Sequence, residues 1–176
     1  MSVQIGARPD SGFDDPLGML QDCHRRIERF LQVLTRVAGR ALGRALDAEE
    51  AAAVEAALHY FRTGGARHTA DEEESLFPRL RACAQAPADT VGDLQHQHQR
   101  ADILHAEIDL LFTAWLNLHA LSPDQQQQLH AATAELEQLY AGHIELEERV
   151  VFPAAAQLLT RQELVEIGNE LRDRRA

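Results

Sequence analysis

The feature that most constrains this chain is an internal repeat laid over helical periodicity. Residues 68–78 read HTADEEESLFP and residues 143–153 read HIELEERVVFP, so H-x-x-x-E-E-x-x-[LV]-F-P occurs twice, 75 positions apart. His24 and His98 form a second pair, offset by 74. Each half therefore supplies one histidine and then, about 44 residues later, a His-x-x-x-Glu segment. The apolar positions fall into four helical stripes. The first runs Leu17, Leu20, Ile27, Leu31, Leu34, Ala38, Ala41 and Ala45, with His24 standing where an apolar residue belongs. The second is Val54, Leu58, Phe61, Gly65, His68, Glu72 and Leu76. The third is Val91, Leu94, His98, Ala101, His105, Ile108, Phe112 and Trp115, ending near Leu121. The fourth is Leu129, Ala132, Leu136, Leu139, His143, Glu147 and Val151. No segment alternates as a strand does.

Punctuation agrees with that division. Asp15-Pro16 is a helix start with Pro at the first helical position. Asp47 with Glu50, Ser122 with Gln125, and Thr160 with Glu163 have capping-box spacing. Pro87 and Asp89 mark a turn, and Gly64-Gly65 weakens the second helix while permitting a close neighbour. The expected fold is all-α: an up-down-up-down four-helix bundle over 16–159, preceded by a flexible arm at 1–15 and followed by a short helix within 160–176.

Composition narrows the function. With 176 residues the chain fits one domain. It carries 28 acidic residues against 17 basic ones, a formal charge of −11. Such a surface repels phosphate backbones and anionic lipid, so neither nucleic acid nor membrane is an expected partner. Every basic residue is Arg, which removes Schiff-base and P-loop lysine chemistry. Cys23 and Cys83 form no CxxC and suggest reduced thiols. No apolar run approaches a membrane span, and residues 1–14 lack the pattern of a secretory signal. A soluble, cytoplasmic protein is expected.

Helix geometry gives the repeat its chemistry. His and Glu four apart lie one turn from each other on one face, and in both segments that face is the apolar stripe. His24, His68, Glu72, His98, His143 and Glu147 should converge inside the bundle. Burying two carboxylates and four imidazoles uncompensated would cost many kcal/mol, and a pair of divalent metals removes that cost. Mixed imidazole and carboxylate donors suit iron ahead of zinc or manganese. Glu73, Glu74 and Glu148 lie about 100° or more around the helix from the inward glutamates, on solvated faces or behind the ligands. Phe77-Pro78 and Phe152-Pro153 suggest packing and kinking. His59, His96 and His130 leave the stripes and should be exposed. His119 lies about 31 Å along the third helix from His98 and belongs to core or rim.

These segments resemble the hemerythrin-like HHE cation-binding family, over roughly Pro16 to Leu159. The resemblance implies a four-helix bundle around an oxo- or hydroxo-bridged non-haem di-iron centre. His24, His68, His98 and His143 would be terminal ligands, and Glu72 and Glu147 the bridges. It further implies binding of O2 or NO, or iron sensing or storage. Oxygen-carrying members have a second histidine four residues along the third helix, where this sequence has Asp102. Asp102 and His105, at +4 and +7 from His98, are the candidates for that missing ligand. They also place Asp five residues after the last-helix histidine, where Glu148 stands here. Tyr140, one turn before His143, either packs or donates a hydrogen bond to a bound ligand.

The alternative to a binding protein is a di-iron enzyme that reduces peroxide or NO, or oxidises iron. No flavin, haem or CxxC signature is present, so turnover would need an external reductase; the sequence favours binding without catalysis. The expected partners are a small gaseous ligand or peroxide, with the chain a monomer or homodimer.

Overall fold

A computed structural model describes residues 10–40 and 43–176 of the chain. Residues 1–9 of the expected arm, and Ala41 of the first stripe, lie outside them. Five helices follow one another: α1 (Pro16–Arg40), α2 (48–82), α3 (Ala88–Leu118), α4 (123–158) and α5 (Arg161–Asp173). Among the described residues there is no strand. No described helix is long and apolar enough to cross a membrane.

The helix starts are chemically determined. The Asp47–Glu50, Ser122–Gln125 and Thr160–Glu163 capping boxes are all formed, satisfying otherwise orphaned N–H groups. The Asp15 carboxylate accepts from the Gly18 N–H at 3.1 Å. Two ends differ from the stripes. α1 is described to Arg40, and Ala45 lies in the non-helical segment before α2 and is exposed. α3 stops at Leu118 because His119 turns left-handed, with φ 60°. His119 is therefore an exposed helix terminator and not part of core or rim. His59, His96 and His130 are exposed.

Neither glycine pair nor proline breaks the long helices. α2 passes through two π-helical segments, Phe61–Gly65 and Asp71–Leu76, and α4 through one, Glu147–Val151. Two of the three end immediately before Phe77-Pro78 and Phe152-Pro153. A proline has no N–H and its ring clashes with the carbonyl four residues back; the wider i→i+5 turn absorbs both problems. The prolines thus set the wide turns that carry Glu72 and Glu147.

Two apolar cores fill the bundle. One contains Ile27, Leu34, Leu58, Ile108, Phe112, Trp115, Leu129 and Leu136. The other contains Leu20, Leu76, Phe77, Leu80, Leu94, Val151 and Phe152, and receives Ile167 and Leu171 of α5. In sequence, the inward residues fall between the two sets on α1, α2 and α3, and on α4 His143 and Glu147 flank the boundary between Ile144 of the first and Val151 of the second. α5 also meets the chain start closely: a Cβ on Gly168 would lie 2.0 Å from the Phe13 carbonyl oxygen, so only glycine fits there.

Candidate metal centre

The six inward residues are brought together. His24, His68, Glu72 and Glu147 form one group and Glu72, His98, His143 and Glu147 another, with ligand atoms within 4.8 Å of one another in each. All six side chains are buried, both glutamates completely. The two groups share the glutamates and divide the histidines by chain half. Glu72 spans them: Oε1 lies 3.2 Å from His68 Nε2 and 3.9 Å from His24 Nε2, while Oε2 lies 3.4 Å from His98 Nε2. Glu147 Oε2 lies 3.0 Å from His24 Nε2 and 3.3 Å from His143 Nε2.

Apart from His98 Nε2, which lies 3.2 Å from His143 Nε2, proximity here is not aligned hydrogen bonding. Both oxygens of Glu72 and of Glu147, and Nε2 of His24 and His68, are buried without an aligned hydrogen-bond partner among the described residues. Buried polar atoms left in this state are costly, and they seldom cluster. Atoms that converge on shared points instead of on one another have the arrangement of ligands around cations, so the donor set fits a pair of metal ions.

The outer face of the cluster fixes the rings. His24 Nδ1–H donates to Glu148 Oε1 at 3.0 Å, and His98 Nδ1–H donates to Glu73 Oε1 at 2.8 Å. His143 Nδ1–H donates to Gln97 Oε1 at 3.0 Å. An acceptor on Nδ1 holds that proton outward and turns Nε2 inward, so Nε2 is the nitrogen whose lone pair a metal would take. Phe152 stacks on His24 (centroids 5.4 Å, 13°) and Phe77 on His98 (6.1 Å, 9°). Each repeat segment therefore grips the lone histidine of the other half twice, through its second glutamate and its phenylalanine. Glu73 and Glu148 work behind the ligands, while Glu74 is exposed and bonded to Arg174. The repetition of the second Glu and of Phe was the available signal. The contribution of Gln97 had none.

Electrostatics follow from burial and the two carboxylates. Burial disfavours charge on His24, but the Glu147 and Glu72 carboxylates override it and hold its pKa up to about 10. His98 is likewise held up to about 9, by Glu72 and Glu73 against burial. Burial dominates at His68 and pushes it down to about 4. Burial opposes ionisation of Glu72 and Glu147, yet the surrounding histidines keep both below the usual carboxylate value. Two cations would replace the protons on His24 and His98.

The two further candidates lie apart from both groups. Asp102 is exposed. His105 is half-buried, pushed down to about 4 by burial, and its Nε2 lies 3.0 Å from the Tyr140 hydroxyl. Tyr140 sits edge-on to His143 with ring centroids 6.1 Å apart. Gly65, Glu73, Asp102, His105 and Tyr140 line a cavity of about 320 Å³ beside the cluster.

A buried tie that the repeat does not predict lies next to Glu72. Asp71, fully buried, accepts from Arg175 Nη2 at 2.5 Å and from Arg174 Nη1 at 3.0 Å. Arg174 also donates to Ser75 Oγ at 2.8 Å. The chain end after α5 thus clamps the wide turn of α2.

Comparison with known proteins agrees with this geometry. An uncharacterised protein of Haemophilus influenzae is 28% identical over 164 residues, spanning 93% of this chain and 91% of its own length. The hemerythrin HHE cation binding domain matches residues 15–155, which include the whole His/Glu cluster. The chain belongs to the hemerythrin HHE cation-binding domain family.

Proposed function

We propose that this chain holds a non-haem di-iron pair and uses it to bind O2 or NO, or to sense or store iron. The observation that carries the reading is the pair of buried groups, His24/His68 and His98/His143, joined through Glu72 and Glu147. Two imidazoles and a share of two carboxylates per position, with no thiolate, suit iron. Four protein ligands leave coordination positions open on a metal that takes five or six. A ferrous pair would supply two electrons and an open position for a small ligand.

The chain's own residues account for the rest of the reading. Glu73, Glu148 and Gln97 orient three of the rings. Phe77 and Phe152 cover His98 and His24 and limit water at the cluster. The Tyr140 hydroxyl, held by His105 beside a cavity, is placed to offer a hydrogen bond to a small ligand.

The test is elemental analysis of protein produced with iron present, together with its visible spectrum. About two irons per chain, with bands between about 320 and 400 nm, are expected for a bridged pair with imidazole and carboxylate ligands. Titration with O2 and with NO should then change the spectrum reversibly. One metal per chain, or zinc without colour, overturns the di-iron reading.

A further inference from the structure

We infer that the two metal positions are unequal, and that the His98/His143 position fills first because Gln97 supports His143 while nothing equivalent supports His68. The inference rests on the metal-pair reading and extends it to the order of loading.

The repeat provides an internal control. His24 and His98 correspond and each has a carboxylate on Nδ1, from Glu148 and Glu73. His68 and His143 also correspond, but here the halves part. His143 Nδ1–H has the Gln97 carbonyl as its acceptor at 3.0 Å. His68 Nδ1 is buried and has no hydrogen-bond partner among the described residues. Gln97 precedes His98, and the residue preceding His24 is Cys23. Cys23 is too short to act as a carboxamide does, and its sulfur is engaged by Arg26 Nη2 at 3.1 Å. Arg175, bonded to Asp71 three residues beyond His68, adds a second guanidinium on this side.

An acceptor on the outer nitrogen fixes the ring and its tautomer and makes the inner nitrogen a stronger donor; losing one such partner weakens metal binding about 10- to 100-fold. Both positions share Glu72 and Glu147, and their lone histidines are supported alike. The difference between them therefore falls on His68 and His143.

The experiment is a zinc titration of the metal-free full-length protein by calorimetry, with histidine ¹⁵N NMR to identify the occupied rings. At one equivalent, His98 and His143 should shift first, and the second equivalent should bind about 10- to 100-fold more weakly at His24 and His68. Repulsion between two cations would also split the steps, but it would fill both pairs equally at one equivalent. Gln97→Cys should remove the preference, and Cys23→Gln should strengthen the second step. The first variant carries the test should the larger side chain at 23 disturb packing. Equal occupancy at one equivalent, or an unchanged preference in Gln97→Cys, overturns the inference while leaving two bound metals. Failure to bind zinc at all overturns the metal-pair reading as well.

Discussion

Around His98 and His143 the second half of the chain places Gln97, His105 and Tyr140; at the corresponding positions the first half has Cys23, Leu31 and Gly65. The first half has its own addition, Asp71 clamped by Arg174 and Arg175, where the second has Leu146. The inward groups and those gripping the lone histidines, by contrast, are repeated: His, Glu, Glu and Phe in both segments. The contrast separates two kinds of constraint. Residues that must meet at one buried point are held in register by the duplication, since moving either copy strands a charge in an apolar core. Residues one layer out need satisfy only their own neighbours, and there the halves differ. One side has a polar tyrosine–histidine pair beside a cavity, and the other a strap from the segment after α5.

The shared glutamates should give the largest effect. Glu72→Gln or Glu147→Gln removes a charge that both groups use, so metal content should fall from two per chain to one or fewer in either variant. A glutamine that left two metals bound would break the equivalence of the two segments. The strap comes next. Removing Arg174 and Arg175 as alanines leaves Asp71 buried and unpaired, at a cost of about 3 kcal/mol in denaturant unfolding. Adding Asp71→Leu, which gives the first half the residue of the second, should recover most of that loss. If it does not, the strap contributes by packing and not by pairing.

Titration of the metal-free protein sharpens the comparison further. His24 and His98 are held above the ordinary histidine value of 6.5, at about 10 and about 9. The stability they contribute is complete below pH 6.5 and is lost as pH rises towards 9–10. His68 and His105, pushed down to about 4, act oppositely. The unfolded chain takes up protons below pH 6.5 while the folded chain does not, so stability falls between pH 6.5 and 4. Melting temperature should therefore peak near pH 6.5. Metal should flatten the alkaline limb by replacing the protons on His24 and His98, releasing about two protons per chain at pH 7. The smallest effect is expected at Tyr140→Phe, which deprives His105 of its partner and should cost about 1 kcal/mol with metal stoichiometry unchanged. A change in stoichiometry would place Tyr140 among the groups holding the metal.

The helices and the inward set could be read from the chain alone because both depend on local periodicity. A histidine four residues before a glutamate on an apolar stripe has one place to go once the stripe is buried. Cap residues likewise act within four positions, and all three capping boxes formed. Other features depended on more than a stripe. His119 shares the spacing of α3 yet ends it with a left-handed turn, and His105 shares the face of His98 yet bonds to Tyr140 on another helix.

Spacing along single helices was enough to give the two matching helical hairpins and the six inward side chains, and cap residues and prolines gave the turns between helices. Which half grips which depends on packing between helices: Glu73 and Phe77 act on His98, Glu148 and Phe152 on His24, and Arg175 reaches back to Asp71. These contacts join residues from different helices, where distance along the chain carries no information about distance in space. The wide turns before Pro78 and Pro153 lie between the two cases. Proline makes an ordinary turn costly, but the packed bundle keeps the helix running through it where an isolated helix could end.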